Sequence, residues 1–200
     1  IVRQAVAGNP NANLDDLLVL AAEFPDEVQA NPGFGLGLAT DPGAVERAFD
    51  DDPKRVMELA RTATGALREH LIAGTLHRPQ IALLLHHDDL SGDEVRRLAD
   101  HSSAHLSVAA GHPNTPAPVL EKAAEQRDPA VRERVALHPN TPPELLARLA
   151  TDPHPWVAAA AARNPRTSDT ALWHLAGREE PTVRQALLDR EDLPALLRSH

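Results

Sequence analysis

The stretch Val131 to Pro153, VRERVALHPNTPPELLARLATDP, decides the fold, because it recurs along the chain. Beneath it align VAAAAARNPRTSDTALWHLAGREEP from Val157 and VRQALLDREDLPALL from Val183, so the leading valine returns every 26 residues. Pro113, Pro139 and Pro165 keep the same step and mark an earlier copy, begun at His105, whose centre reads VAAGHPNTP. The opening residues from Val2, VRQAVAGNPNANLDDLLVLAAEFP, fall in the same register: Val2 to Pro10 matches Val131 to Pro139, and Leu20-Ala21 matches Leu149-Ala150. A unit this short cannot bury its own apolar face, so neighbouring copies must stack into one continuous core.

Within a copy there are two helical signals joined by a proline turn. Val2, Ala5, Val6 and Ala7 in the first, and Leu145, Leu146, Leu149 and Ala150 in the second, recur at helical rather than strand spacing. Thr141-Pro142-Pro143-Glu144 carries the signature of a capping box with proline in the first turn. Asp128-Pro129, Asp152-Pro153 and Glu180-Pro181 predict acidic caps for the first helix. The expected architecture is all-α: one solenoid over residues 1–200, built of about seven to eight short helical repeats. Copies are clear over residues 1–25 and 102–197 and divergent over 26–101, where Val45, Pro53, Leu59-Ala60 and Leu67 mark shortened copies and Leu76 to Ala99 adds a helix.

The pattern VRxAVAxNPNTPxxLLxxLAxDP, fullest at Val131 to Pro153 and Val2 to Ala21, resembles the leucine-rich repeat variant family over the C-terminal hundred residues and the first twenty-five. The resemblance implies a right-handed superhelix of alternating α-helices and short 3₁₀ segments. A HEAT-like α/α solenoid is the near alternative. Some members of that family hold an iron–sulfur cluster on a Cys-rich segment. This chain has no cysteine, so no cluster, thiolate-bound zinc, disulfide or cysteine nucleophile is expected, and no cofactor at all.

Composition narrows the function classes. Apolar residues make up 42% of the chain but aromatics only 2%, so the core is built from Ala, Leu and Val, which suits closely packed helices. A formal charge of −9 argues against a large footprint on nucleic acid or anionic lipid. The sequence has no apolar run of about 18 residues and no signal-like start, so a cytoplasmic, non-membrane protein is expected. The start at Ile1 inside a repeat, and the end of the last copy at Leu197, lead to the expectation of a longer polypeptide or of an end covered by a partner.

Candidate chemistry is sparse. His86-His87-Asp88-Asp89 does not converge on a metal if helical, since adjacent side chains point about 100° apart, and reads as a polar helix end before a Ser91-Gly92 loop. His112 and His138 stand where other copies carry Asn9 and Asn164 and are expected to bond turn backbone. Gly33-Phe34-Gly35-Leu36-Gly37 lacks the strand and lysine of a phosphate loop and reads as a helix-breaking bend. Asp50-Asp51-Asp52 precedes a proline and reads as a solvated turn, and no nucleophile elbow organises the Ser, His and Asp residues. No catalytic centre or metal site is therefore expected.

Four residues are candidates for partner binding. Arg3, Arg132 and Arg184 recur one place after the leading valine, able either to grip an acidic ligand or to pair with acids such as Asp128, Glu133 or Glu180. Trp156 falls where other copies have Ile1, Ala104, Ala130 and Thr182, and Trp173 where they have Leu18, Glu121 and Ala147. A contact patch around Trp156 and Trp173 is one reading; a ring filling space beside the small Ala158 to Ala162 helix is the other. The chain thus reads as a non-enzymatic scaffold for another protein of basic or apolar character. The alternative is a nucleic-acid module of the HEAT-like DNA glycosylase kind, which requires Arg127, Arg132, Arg134, Arg148, Arg163 and Arg166 to converge on one face with a tryptophan.

Overall fold

In the computed structural model the described residues are 1–41, 43–49, 59–73, 84, 85, 87 and 89–190, and all their regular secondary structure is helical. The chain divides into two compact units, Ile1–Asp89 and Leu90–His200. The Asp50-Asp51-Asp52 turn, His86, Asp88, Leu76 to Leu83 and the end of the last copy beyond Arg190 lie outside the described residues.

The second unit carries the regular repeat. Its helices are α7 (Gly92–Asp100), α8 (Ser103–Ala109), α9 (Ala117–Ala124), α10 (Pro129–Leu137), α11 (Pro143–Ala150), α12 (Pro155–Arg163), α13 (Asp169–Ala176) and α14 (Pro181–Leu188). Each copy is a pair of short α-helices, so the α/α alternative holds and the 3₁₀ segments implied by the family resemblance are not found among the described residues. Helices α10, α12 and α14 pack side by side as one layer, and α11 and α13 form the other. The run Val157 to Ala162 is buried on every side of α12, because its small side chains admit neighbouring helices closely from all directions.

Buried polar side chains link the copies. Thr115, Thr141 and Thr167 each send the hydroxyl to the carbonyl six residues back, those of Ala109, Val135 and Ala161. Asn164 donates Nδ2 to the carbonyls of Ala136 and His138 one copy earlier, at 2.7 and 3.0 Å. Arg190, at the same register in the next copy, reaches the equivalent carbonyls of Ala162 and Asn164 at 2.6 and 2.7 Å. Arg178 does the same at the other turn, donating to Ala150 and Asp152 carbonyls. These donors satisfy the carbonyls that a helix end leaves without intrahelical partners.

Three capping expectations are corrected, at Thr141, Asp152 and Glu180. Thr141 does not cap α11: its hydroxyl turns back to Val135, and α11 starts from Pro142 without a side-chain cap. Asp152 does not cap α12, whose N-cap is His154 and whose first residue is Pro155; Asp152 instead accepts the His154 backbone N–H and faces Arg132. Asp128 does cap α10 through the Ala130 N–H, while Glu180 precedes α14 without a side-chain cap bond. A capping box is present at Ser91 and Glu94, so Ser91-Gly92 is the start of α7 and not a loop.

The first unit contains α1 (Val2–Ala7), α2 (Leu14–Leu20), α3 (Pro25–Ala30), α4 (Pro32–Thr40), α5 (Ala44–Phe49) and α6 (Gly65–Ala73). Its core gathers Leu17, Leu18, Phe34, Leu59, Leu67 and Leu71. Asn31 repeats the ladder of the second unit, donating to the Ala7 and Asn9 carbonyls at 2.9 and 2.8 Å. The glycine-rich stretch is helical, which corrects the bend expected there. Asn31 caps α4, Phe34 is fully buried, and a Cβ on Gly37 would stand 3.1 Å from a Leu14 methyl. Glycine is used for close approach of α4 to α2, and packing overrides its weak helical preference.

Candidate functional site

Arg132, the second of the recurring arginines, is mostly covered and bonded within its own copy. Its guanidinium forms a fork on Asp152, with Nε to Oδ2 at 2.7 Å and Nη2 to Oδ1 at 3.1 Å, and Nη1 donates to the Gln126 and Arg127 carbonyls at 2.9 Å. Its Nε, Nη1 and Nη2 are all held by groups of the chain itself. The partner is Asp152, twenty residues on, rather than the sequence-adjacent Asp128 or Glu133, because a planar fork needs a carboxylate facing it across the copy. Burial pushes the Asp152 carboxyl up, but the Arg132 bonds, the His154 backbone N–H and the nearby positive charges together hold it below the usual carboxylate range.

The recurring arginines diverge in role. Arg3 pairs with Glu23 at 2.9 Å, and Arg184 is exposed with no ion pair among the described residues. Glu180, expected as an arginine partner, is taken by Arg178. Of the six arginines that would have to converge for nucleic acid, Arg132, Arg134 and Arg166 reach Asp152 or the carbonyls of neighbouring copies. Arg127, Arg148 and Arg163 are exposed and carry no ion pair among the described residues.

The histidines read as structure. His138 accepts the Asn140 N–H on Nδ1 and turns Nε2 to the His112 carbonyl, and His112 accepts the Asn114 N–H in the same way. His87 turns Nε2 to the Ala60 carbonyl at 2.8 Å, and Asp89 takes Arg68 on both oxygens, so neither is arranged as a ligand. No cluster of three or more metal-ligating side chains is found among the described residues. Among them, too, no helix is long and apolar enough to cross a membrane.

Both tryptophans are at the surface, Trp156 with 60% of its area exposed and Trp173 with 45%. They stand on helices of different layers. Trp156, in the first turn of α12, tilts over the His154 ring with centroids 5.1 Å apart at 58°. Trp173, on α13, borders a shallow depression with Ala147, Ser168, Thr170, Ala171 and His174. Each ring thus has its own surroundings, the His154 ring for Trp156 and the α13 depression for Trp173. In the first copy the counterpart of Trp173, Leu18, is fully buried, because α4 and α5 pack on α2 there; sequence alignment alone missed that covering layer.

The chain as a whole finds no match among curated proteins or solved structures. Residues 129–154, the copy that holds α10, α11 and the Arg132–Asp152 fork, match the family model described as Leucine rich repeat variant, and this copy is a repeat of that HEAT-like helical kind.

Proposed function

We propose that the chain is a non-catalytic scaffold that binds another protein. The observation that carries the reading is the pair of exposed indoles on a frame whose turns are tied from copy to copy by Asn164 and Arg190. Stacked helices offer a long rigid surface, and exposed tryptophan is enriched where such surfaces make energetically dominant contacts. The acidic balance of the chain favours a partner with basic character.

Nucleic-acid binding is the second reading, favoured by Arg127, Arg148, Arg163 and Arg184, which are exposed and carry no ion pair among the described residues. Retention from native lysate on the intact chain, with and without nuclease, compared with a Trp156→Ala/Trp173→Ala variant, separates the two. Proteins held after nuclease and lost from the variant support the scaffold. Retention that disappears on nuclease treatment overturns it in favour of nucleic acid.

A further inference from the structure

We propose that the depression beside Trp173 docks an extended peptide that lays an arginine or lysine over the indole and carries a second basic residue, separated from the first along the peptide, toward Glu121. The inference rests on the scaffold reading and names the chemistry of its partner. Trp173, Ala147 and Glu121 occupy one register on α13, α11 and α9, so they form a row across three successive copies. Ala147 is the small member of the row, and the depression opens where its short side chain leaves the Trp173 ring uncovered. An exposed indole face attracts a cation through its ring quadrupole, and guanidinium adds stacking.

The charges around the row are complementary to such a peptide. Glu121, Glu125, Glu144 and Asp169 are exposed and carry no ion pair among the described residues. Lys122, by contrast, is tied to Asp100 at 2.8 Å, and Arg96 faces Asp93 and Asp100. Arg148 is the opposing cation, beside Ala147 on α11. Glu144 and Asp169 also suit the first turns of their helices, but Glu121 lies in the body of α9 and Glu125 at its C-terminal end, where the helix dipole disfavours a carboxylate. Neither of these two acids has an ion pair among the described residues, so both are open to a cation from outside. Glu121 lies two copies before Trp173, so an extended chain, and not two neighbouring side chains, is needed to reach both.

The test uses the full chain with Trp156→Phe, which leaves Trp173 as the sole indole. Its fluorescence is titrated into the millimolar range with the peptide Arg-Gly-Ala-Gly-Ala-Arg, with its Glu-for-Arg counterpart, and with Arg-Arg-Gly-Ala-Gly-Ala. The expected result is a saturable change with the first peptide, no saturation with the acidic one, and binding roughly three- to fivefold weaker for the adjacent-arginine peptide and for Glu121→Gln. A flat titration, an equal response to the acidic peptide, or unchanged affinity in Glu121→Gln overturns the docking site. If the titration is flat while lysate proteins are still lost from the double-tryptophan variant, this site falls and the scaffold stands. If the titration is flat and no protein is retained by the intact chain either, both fall.

Discussion

The Nε2 of His138 lies 2.8 Å from the carbonyl oxygen of His112, the residue at its own register one copy earlier. With Nδ1 occupied as acceptor by the Asn140 N–H, the proton must reside on Nε2, so one neutral tautomer serves both bonds. Asn164 fills the same place with Oδ1 toward the Arg166 N–H and Nδ2 toward the preceding copy. Imidazole and amide are interchangeable here because each offers an acceptor and a donor on opposite sides.

His138→Asn should therefore retain stability to within about 1 kcal/mol, whereas His138→Leu, which removes the acceptor of the Asn140 N–H and leaves the His112 carbonyl with only its Thr115 donors, should lose about 1–2 kcal/mol. Urea unfolding of the two variants measures the difference. Equal losses would mean that the imidazole acts by volume alone.

The Arg132–Asp152 fork predicts an acid limb to stability. The Asp152 carboxyl titrates lower in the folded chain than in the unfolded one, so its contribution is fully present above the ordinary carboxylate range near 3.8 and is lost as pH falls through the folded value. Asp89, held down by its bonds to Arg68, acts in the same direction in the first unit. Asp152→Asn should flatten the fall in melting temperature below about pH 4, and Arg132→Gln, which leaves the buried carboxylate with the His154 N–H but without its charged partner, should cost on the order of 3 kcal/mol at neutral pH. Thermal unfolding followed from pH 7 to pH 3 checks both.

Much of this was legible in the sequence. Valines and prolines at a step of 26 give the repeat and its helix pairs, since periodic apolar spacing reports which face is buried. The equivalence of His138 with Asn164 predicted a backbone-bonding turn, and the structure has it. What the sequence hid were contacts across copies. Asp152 looked like a cap because proline follows it, but its oxygens are claimed by Arg132 twenty residues away. The glycines of α4 looked like a bend because propensity is local, while the reason for glycine at position 37 is a Leu14 side chain on another helix. Leu18 and Trp173 share a register, and only the packing of α4 and α5 makes one buried and the other exposed.

Gly65 opens α6 at φ +49°, the left-handed region that glycine enters without penalty. A Cβ there would also stand 2.4 Å from Gln29 Oε1, and the Gln29 amide is itself bonded to the Thr64 carbonyl at 2.7 Å. Gly65→Ala should destabilise the first unit by roughly 1–2 kcal/mol, the combined cost of backbone strain and a displaced side chain. Gly8→Ala is the control, because its Cβ would meet only the Gln4 carbonyl at an ordinary 3.9 Å and its φ is negative. Comparable losses in both variants, by urea unfolding, would sink the account.

The exposure of the tryptophans separates a contact patch from a space-filler. A ring that completed the core would cost about 3–5 kcal/mol on truncation to alanine, because the cavity and the lost transfer energy add. Trp156 stands one helical turn before Ala159 and Ala160, whose burial invites that assignment, yet more than half of its own surface faces solvent. Trp156→Ala and Trp173→Ala should accordingly each shift unfolding by less than about 1 kcal/mol, the range of surface substitutions that leave no cavity. Ala160→Leu, by contrast, forces a larger side chain into the packed interior of α12 and should cost about 1–3 kcal/mol. Denaturant midpoints for the three variants decide the matter. A loss from Trp156→Ala as large as that from Ala160→Leu would assign the ring to the frame and leave Trp173 as the indole available to a partner.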